Sequence, residues 1–114
     1  MRNLEENCTY LSEKKLSLVR EFCPSGASLD SLSALFSAFS DKTRVRIVSA
    51  LSISEMCVGD LCAALSLNQT TASHQLAYLK SCGVVEDERR GRVVFYRIKH
   101  EKILTLLLAA AEIV

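Results

Sequence analysis

With 114 residues, 49% of them hydrophobic and 24% charged, the chain has the balance of one folded domain with a modest core, and domains this small often complete their burial by dimerising. A formal net charge of +1 excludes a globally basic surface, so any patch for nucleic acid has to be local and offset elsewhere. The polar, acid-bearing start MRNLEENCTY does not read as a secretory signal, and the apolar stretch ILTLLLAAAEIV at residues 103–114 is too short to span a bilayer; both predict a cytoplasmic protein without membrane contact, whose five cysteines stay reduced.

In chain order, Leu11, Leu16, Val19 and Phe22 fall at helical spacings and predict a first helix, broken by the cluster CPSGAS around Pro24. Leu32, Leu35, Phe36 and Phe39 form the stripe of a second helix. Asp41 is placed to cap a third, with Val45, Ile47, Val48 and Leu51 apolar. Two short helices follow at roughly 57–66 and 69–81, separated by LNQ, which leaves room only for a tight turn; Ala72, Leu76 and Leu79 give the second its buried stripe. The period then changes. Val84–Val85 and Val93–Ile98 are β-rich and flank DERRGR, a hairpin with Gly91 near its turn. A last helix over about 100–113 carries more apolar face than a monomer can cover, which predicts a homodimer. Two helices joined by a tight turn and followed by a charged hairpin predict a mainly α fold with a β-hairpin wing, a winged helix-turn-helix.

Such a unit reads double-stranded DNA with the N-terminal residues of its second helix. Here these are Gln69, Thr70, Thr71, Ser73, His74 and Gln75, short or planar hydrogen-bonding groups suited to base edges and phosphates. No acidic residue between Asn68 and Ser81 opposes phosphate, and the helix N-terminus adds positive potential. Arg89, Arg90 and Arg92 on the hairpin suit phosphate or minor-groove contacts. Lys80, Arg44 and Arg46 are either further phosphate contacts or surface solubilisers, and His74 either faces the groove or bonds back to the scaffold. A winged-helix module for protein interaction, or a thiol-rich metal buffer, is the competing class; it predicts no operator affinity. An enzyme is disfavoured because the sequence offers no acid–base pair, activated nucleophile or phosphate loop. No organic cofactor is expected.

The stretches AFSDKTRVRIVSAL, CVGDL, ASHQLAYLK, GVV and GRVVFYRI, in this order, resemble the ArsR/SmtB family of prokaryotic metal- and metalloid-responsive repressors, closely over about residues 30–105. The resemblance implies a homodimeric repressor on a palindromic operator, with the N- and C-terminal helices at the dimer interface. Residues 1–24 then form an N-terminal helical arm serving dimer and effector, and 25–114 the winged helix-turn-helix domain with its dimerisation helix.

The same resemblance implies an effector site. Cys57 falls on the family's thiol at the start of a helix, Asp60 on an aspartate some members use as a ligand, and Cys8 on the N-terminal ligand contributed across the dimer. Gly59 and Ser12 stand where fuller sites carry further ligands. Cys62 matches a third cysteine of arsenite-responsive members, and Cys23 is a further candidate. The family's second site, on the last helix, meets His100 and Lys102 here, and a charged lysine cannot ligate. Physical chemistry is compatible with the first site: a thiol at a helix N-terminus is shifted towards thiolate, and thiolates suit Zn2+, Cd2+, Pb2+ and As(III). Cys57 and Asp60, three apart, share a helix face, whereas Cys62 lies about 140° around it from Cys57. Alternatives stay open. Cys57 and Asp60 also read as a plain capping box, Cys62 and Cys82 as buried small hydrophobes, and the switch as thiol oxidation or persulfide formation without metal.

Overall fold

The computed structural model describes residues 8–114, so the part of the predicted N-terminal arm at residues 1–7 lies outside the described residues. Contacts divide the chain into two compact units, Met1–Asp30 and Ser31–Val114. The first unit contains helix α1, Glu13–Phe22, capped by Ser12, whose hydroxyl accepts from the Lys15 amide at 3.2 Å. Cys23 is its C-cap and is exposed. Helix α2 runs Gly26–Ser37.

In the second unit α3, Lys42–Leu51, is capped as expected by Asp41, which accepts from the Arg44 amide at 3.1 Å. A two-residue strand β1, Met56–Cys57, leads directly into α4, Val58–Leu65. Ser66 turns left-handed with φ 56°, and Asn68 caps α5, Gln69–Ser81, by accepting from the Thr71 amide at 2.7 Å. The C-terminus of α5 needs a left-handed residue: Gly83 has φ 76°, its amide donates to Lys80 O, and the Val84 amide donates to Leu79 O, the pair of bonds of a Schellman motif. That turn sends the chain straight into β2, Val85–Arg90, and β3, Val93–Ile98, before the last helix α6, Lys102–Ala111.

The wing differs from the sequence expectation in two details. Most of DERRGR is strand, and the turn is only Gly91-Arg92, with Gly91 (φ 65°) at the position a type II′ turn reserves for glycine. The wing also has a third strand: β1 pairs antiparallel with β3, Met56 opposite Tyr96 and Cys57 opposite Phe95, giving the order β1-β3-β2. Two residues carry no readable period, and so β1 left no trace in the pattern.

Ile47, Val48, Leu61, Leu76, Leu79, Val84 and Val85 are fully buried and form the centre of one core, to which Ile103 fastens α6. The predicted stripe of α5 is thus the stripe that packs. The core fixes α4, α5 and the base of the wing relative to one another, which leaves the outer face of α5 and the wing tip to work on a partner.

Candidate nucleic-acid interface and effector site

Helix α5 presents Gln69, Thr70, Ser73, His74 and Ala77 as one continuous, shallow exposed face. Steps of one, three and four residues put these on one side of the helix, opposite the buried Ala72, Leu76 and Leu79. His74 is exposed and has no hydrogen bond to the scaffold among the described residues, which favours the outward of its two expected orientations. Thr71 is half-buried and gives its backbone amide to the cap. Gln75 turns inward: its Oε1 accepts from Arg44 Nη1 at 3.1 Å.

Arg44 has a bracing role that the sequence reading did not assign to it. Its Nε donates to Ala38 O at 3.2 Å and its Nη2 to Ser37 O at 3.2 Å, closing the carbonyl end of α2. The guanidinium also stacks 4.3 Å from the Tyr78 ring centroid, and the Tyr78 and Ser37 hydroxyls share a hydrogen bond. One planar fork thereby ties the α2–α3 junction to two successive turns of α5. Arg46 is likewise occupied, donating to Leu65 O at the end of α4 at 2.8 Å, and Lys80 pairs with Asp87 at 3.1 Å. All three are engaged with the scaffold, Arg44 part-buried and Arg46 and Lys80 from the exposed surface.

The three wing arginines separate. Arg89 and Arg92 are exposed and, among the described residues, carry no ion pair. Arg90 does not stand free at the tip. Its Nη1 and Nη2 donate to Glu55 Oε1 and Oε2 at 2.5 and 3.1 Å, Nη2 also reaches Glu88 Oε2 at 2.9 Å, and the guanidinium lies 4.8 Å from the Phe95 ring centroid. Arg97 extends the chain of charges, pairing with Glu86 at 2.9 Å and Glu88 at 2.8 Å. The Arg90 guanidinium, through its hydrogen bonds, lowers the carboxyls of Glu55 and Glu88 from their ordinary value, and the same hydrogen bonds raise Arg90.

At the thiol side, Cys57 is both the last residue of β1 and the N-cap of α4. Asp60 Oδ2 accepts from the Cys57 amide at 3.3 Å. The reciprocal approach of Cys57 Sγ to the Asp60 amide completes a capping box, though as a contact weaker than a full hydrogen bond. Cys57 is half-buried and Asp60 exposed, so a sulfur and an oxygen sit within one turn at the surface. Gly59 lies beside them: a Cβ there would be 3.8 Å from Cys57 Sγ and touch nothing else. Cys62 is half-buried next to the fully buried Leu61, Cys82 is the C-cap of α5 and packs on the core, and Cys8 is exposed. His100 is spent on structure: its Nδ1 accepts from the Lys102 amide at 3.1 Å at the start of α6. Among the described residues, no three His, Cys, Asp or Glu side chains converge within the chain, and no helix is long and apolar enough to cross a membrane.

A capped, acid-free polar helix beside a basic hairpin defines a DNA-binding transcriptional regulator of the winged helix-turn-helix class rather than an enzyme. The family model described as "Bacterial regulatory protein, arsR family" matches residues 41–87. The transcriptional repressor SmtB homolog of Synechocystis is 37% identical over 100 residues, 85% of this chain and 76% of that protein. A homolog of the cadmium resistance regulatory protein CadC from Staphylococcus aureus is 32% identical, covering 87% of this chain and 82% of its own. Among solved structures, the homodimeric winged helix-turn-helix domain Mb0332 of Mycobacterium bovis superposes with a TM-score of 0.69 at 30% identity, over 90% of this chain and 88% of that one. The chain belongs to the ArsR/SmtB family.

Proposed function

We propose that the protein is a homodimeric repressor that holds a palindromic operator with α5 and the wing and releases it when a thiophilic ion binds Cys57. The observation that carries the DNA half is the exposed, acid-free face Gln69, Thr70, Ser73 and His74; the exposed Arg89 and Arg92 of the wing add cations. The ion half is supported by the donor set: a thiol at the N-cap of α4 and a carboxylate in the same turn. Sulfur with oxygen suits Zn2+, Cd2+ and Pb2+, and thiols alone suit As(III). A relative named for cadmium resistance fits that chemistry. Cys8 would complete the site as a further thiol. A DNA-binding repressor of a bacterial family works in the cytoplasm.

Thiol oxidation is the second reading, favoured by the lack of three convergent donors among the described residues of one chain. Gel-shift titration of the reduced protein with Zn2+, Cd2+, Pb2+, arsenite and a persulfide donor separates the two. Cys57→Ser should keep the fold and operator affinity, because serine caps a helix well, and lose release by every ion. Release of Cys57→Ser by all of them ends the effector assignment, whereas release of the parent by persulfide alone hands the switch to thiol chemistry. Gln69→Ala should lower discrimination of operator over random DNA by about 1–3 kcal/mol.

A further inference from the structure

Side-chain alternation divides the wing into two faces. Asp87 pairs with Lys80 of α5, so Val85, Asp87 and Arg89 belong to the face turned towards the recognition helix. Glu86, Glu88 and Arg90 belong to the opposite face. The registers Cys57–Phe95 and Phe95–Glu88 run a row of side chains across all three strands on that second face. Cys57 and the Arg90 network therefore occupy the same side of one small sheet. The residue that closes the network is Glu55, two positions before Cys57 and 35 before Arg90.

We propose that Glu55 is a positioning residue for the wing: with Glu88 it holds the Arg90 guanidinium against Phe95, ties the wing to the strand that carries Cys57, and makes Arg90 a strut rather than a phosphate ligand. The ladder between β1 and β3 is only two residues long and ends at Met56 opposite Tyr96. Arg90 is the last residue of β2 before the turn. The Glu55–Arg90 fork thus extends the attachment of β1 from the middle of the wing to its tip. Three of the five guanidinium donor directions are already committed, and a phosphate would have to displace two carboxylates to take them. Phosphate contact then falls to Arg89 and Arg92. One exposed ion pair orders little, but a bidentate pair with a second carboxylate and a ring behind it fixes one geometry.

The same strut gives the effector a route to DNA, a step that rests on the proposed function. Asp60 holds the Cys57 amide. If Asp60 turns to ligate an ion on Cys57, that cap bond breaks, the end of β1 shifts, and Glu55 carries the shift to Arg90 and the wing.

The test uses the full-length dimer in two arms. In the first, operator affinity is measured against salt without any ion. Glu55→Gln and Arg90→Lys should each weaken binding about three- to tenfold with the salt slope unchanged, and should speed hydrogen exchange of the wing amides at 89–93 while the amides of α5 stay protected. Arg89→Ala and Arg92→Ala should instead lower the slope by about 0.9 for each phosphate that is no longer neutralised. An Arg90→Lys protein that binds like the parent, with Glu55→Gln binding more tightly, overturns the strut and restores Arg90 as a phosphate ligand. In the second arm Cd2+ is titrated. Glu55→Gln should bind Cd2+ as the parent does yet show a smaller drop in operator affinity. An equal drop in both proteins removes the coupling. A parent that neither binds nor responds to Cd2+ counts against the ion-responsive function, and the first arm still decides the role of Glu55.

Discussion

Cys57 serves two elements with one backbone: its amide is bound by Asp60 at the head of α4, and its Cα pairs with Phe95 in the sheet. A ligand on its sulfur therefore acts at a joint. Gly59 offers a direct probe of that sulfur, since a side chain there has room and its Cβ would lie 3.8 Å from Cys57 Sγ. Gly59→Cys adds a second thiol beside the first and improves helix propensity. It should tighten Cd2+ by about tenfold or more, roughly 1.4 kcal/mol, as read by competition with a chelator, and unchanged affinity would mean that Cys57 is not a ligand. The carboxylates respond differently. Glu55 and Glu88 have lowered values in the folded protein, so the stabilisation they give is complete above their ordinary value of 4.5 and is lost as pH falls through the lowered one. The wing should keep its order from pH 8 to pH 5 and loosen only below about 4.5, visible as line broadening of the residue 89–93 amides in acid titration; loosening near neutrality would contradict the pairing. The capping box of Cys57 and Asp60 was legible in the sequence because it is a four-residue rule. The partner of Arg90 was not, because it lies 35 residues away and local pattern holds no information about that distance.

At the scale of elements, the helices were readable wherever one face is apolar and a cap precedes it. Asp41 and the stripe Ala72, Leu76, Leu79 appear where the pattern puts them, and the structure adds Asn68 as the cap of α5. What the pattern did not contain is how α5 is aimed. That falls to Arg44, whose fork reaches Ser37 O, Ala38 O and Gln75 Oε1 while its flat face covers Tyr78. Arg44→Ala leaves part-buried carbonyls without their donor and should cost about 1–3 kcal/mol of stability. Arg44→Lys keeps the charge but cannot span three acceptors. It should unfold only slightly more easily, and yet lose discrimination between operator and random DNA because α5 can rotate. Measured by thermal melting and by paired affinities, a lysine variant with parental discrimination would show that Arg44 only stabilises the helix junction.

At the scale of the whole molecule, the second unit keeps an apolar groove of about 550 Å³ lined by residues that include Phe36, Phe39, Leu104, Leu107 and Leu108. Leu108 is 59% exposed and Phe36 54%, next to Ile53 at 86%. Large side chains left in water at this density on one face are the mark of a surface that is covered in solution, and a second copy of the chain supplies an equally apolar face. Each leucine that becomes buried there contributes about 1.5–3 kcal/mol. The choice of variant matters. Leu107 packs partly on the core, so a charge at that position damages the fold as well as the interface. Leu108 lines the groove without belonging to the core. Leu108→Glu should therefore give a folded monomer with a melting curve near that of the parent's dissociated form. It should bind an operator half-site weakly and the full palindrome no better, since one recognition helix and one wing supply half of the phosphate contacts. Sedimentation and gel shift read the two effects together. A Leu108→Glu protein that remains dimeric at micromolar concentration, or a monomer that holds the full operator with parental affinity, would show that this groove is not the surface that pairs the two DNA-reading helices.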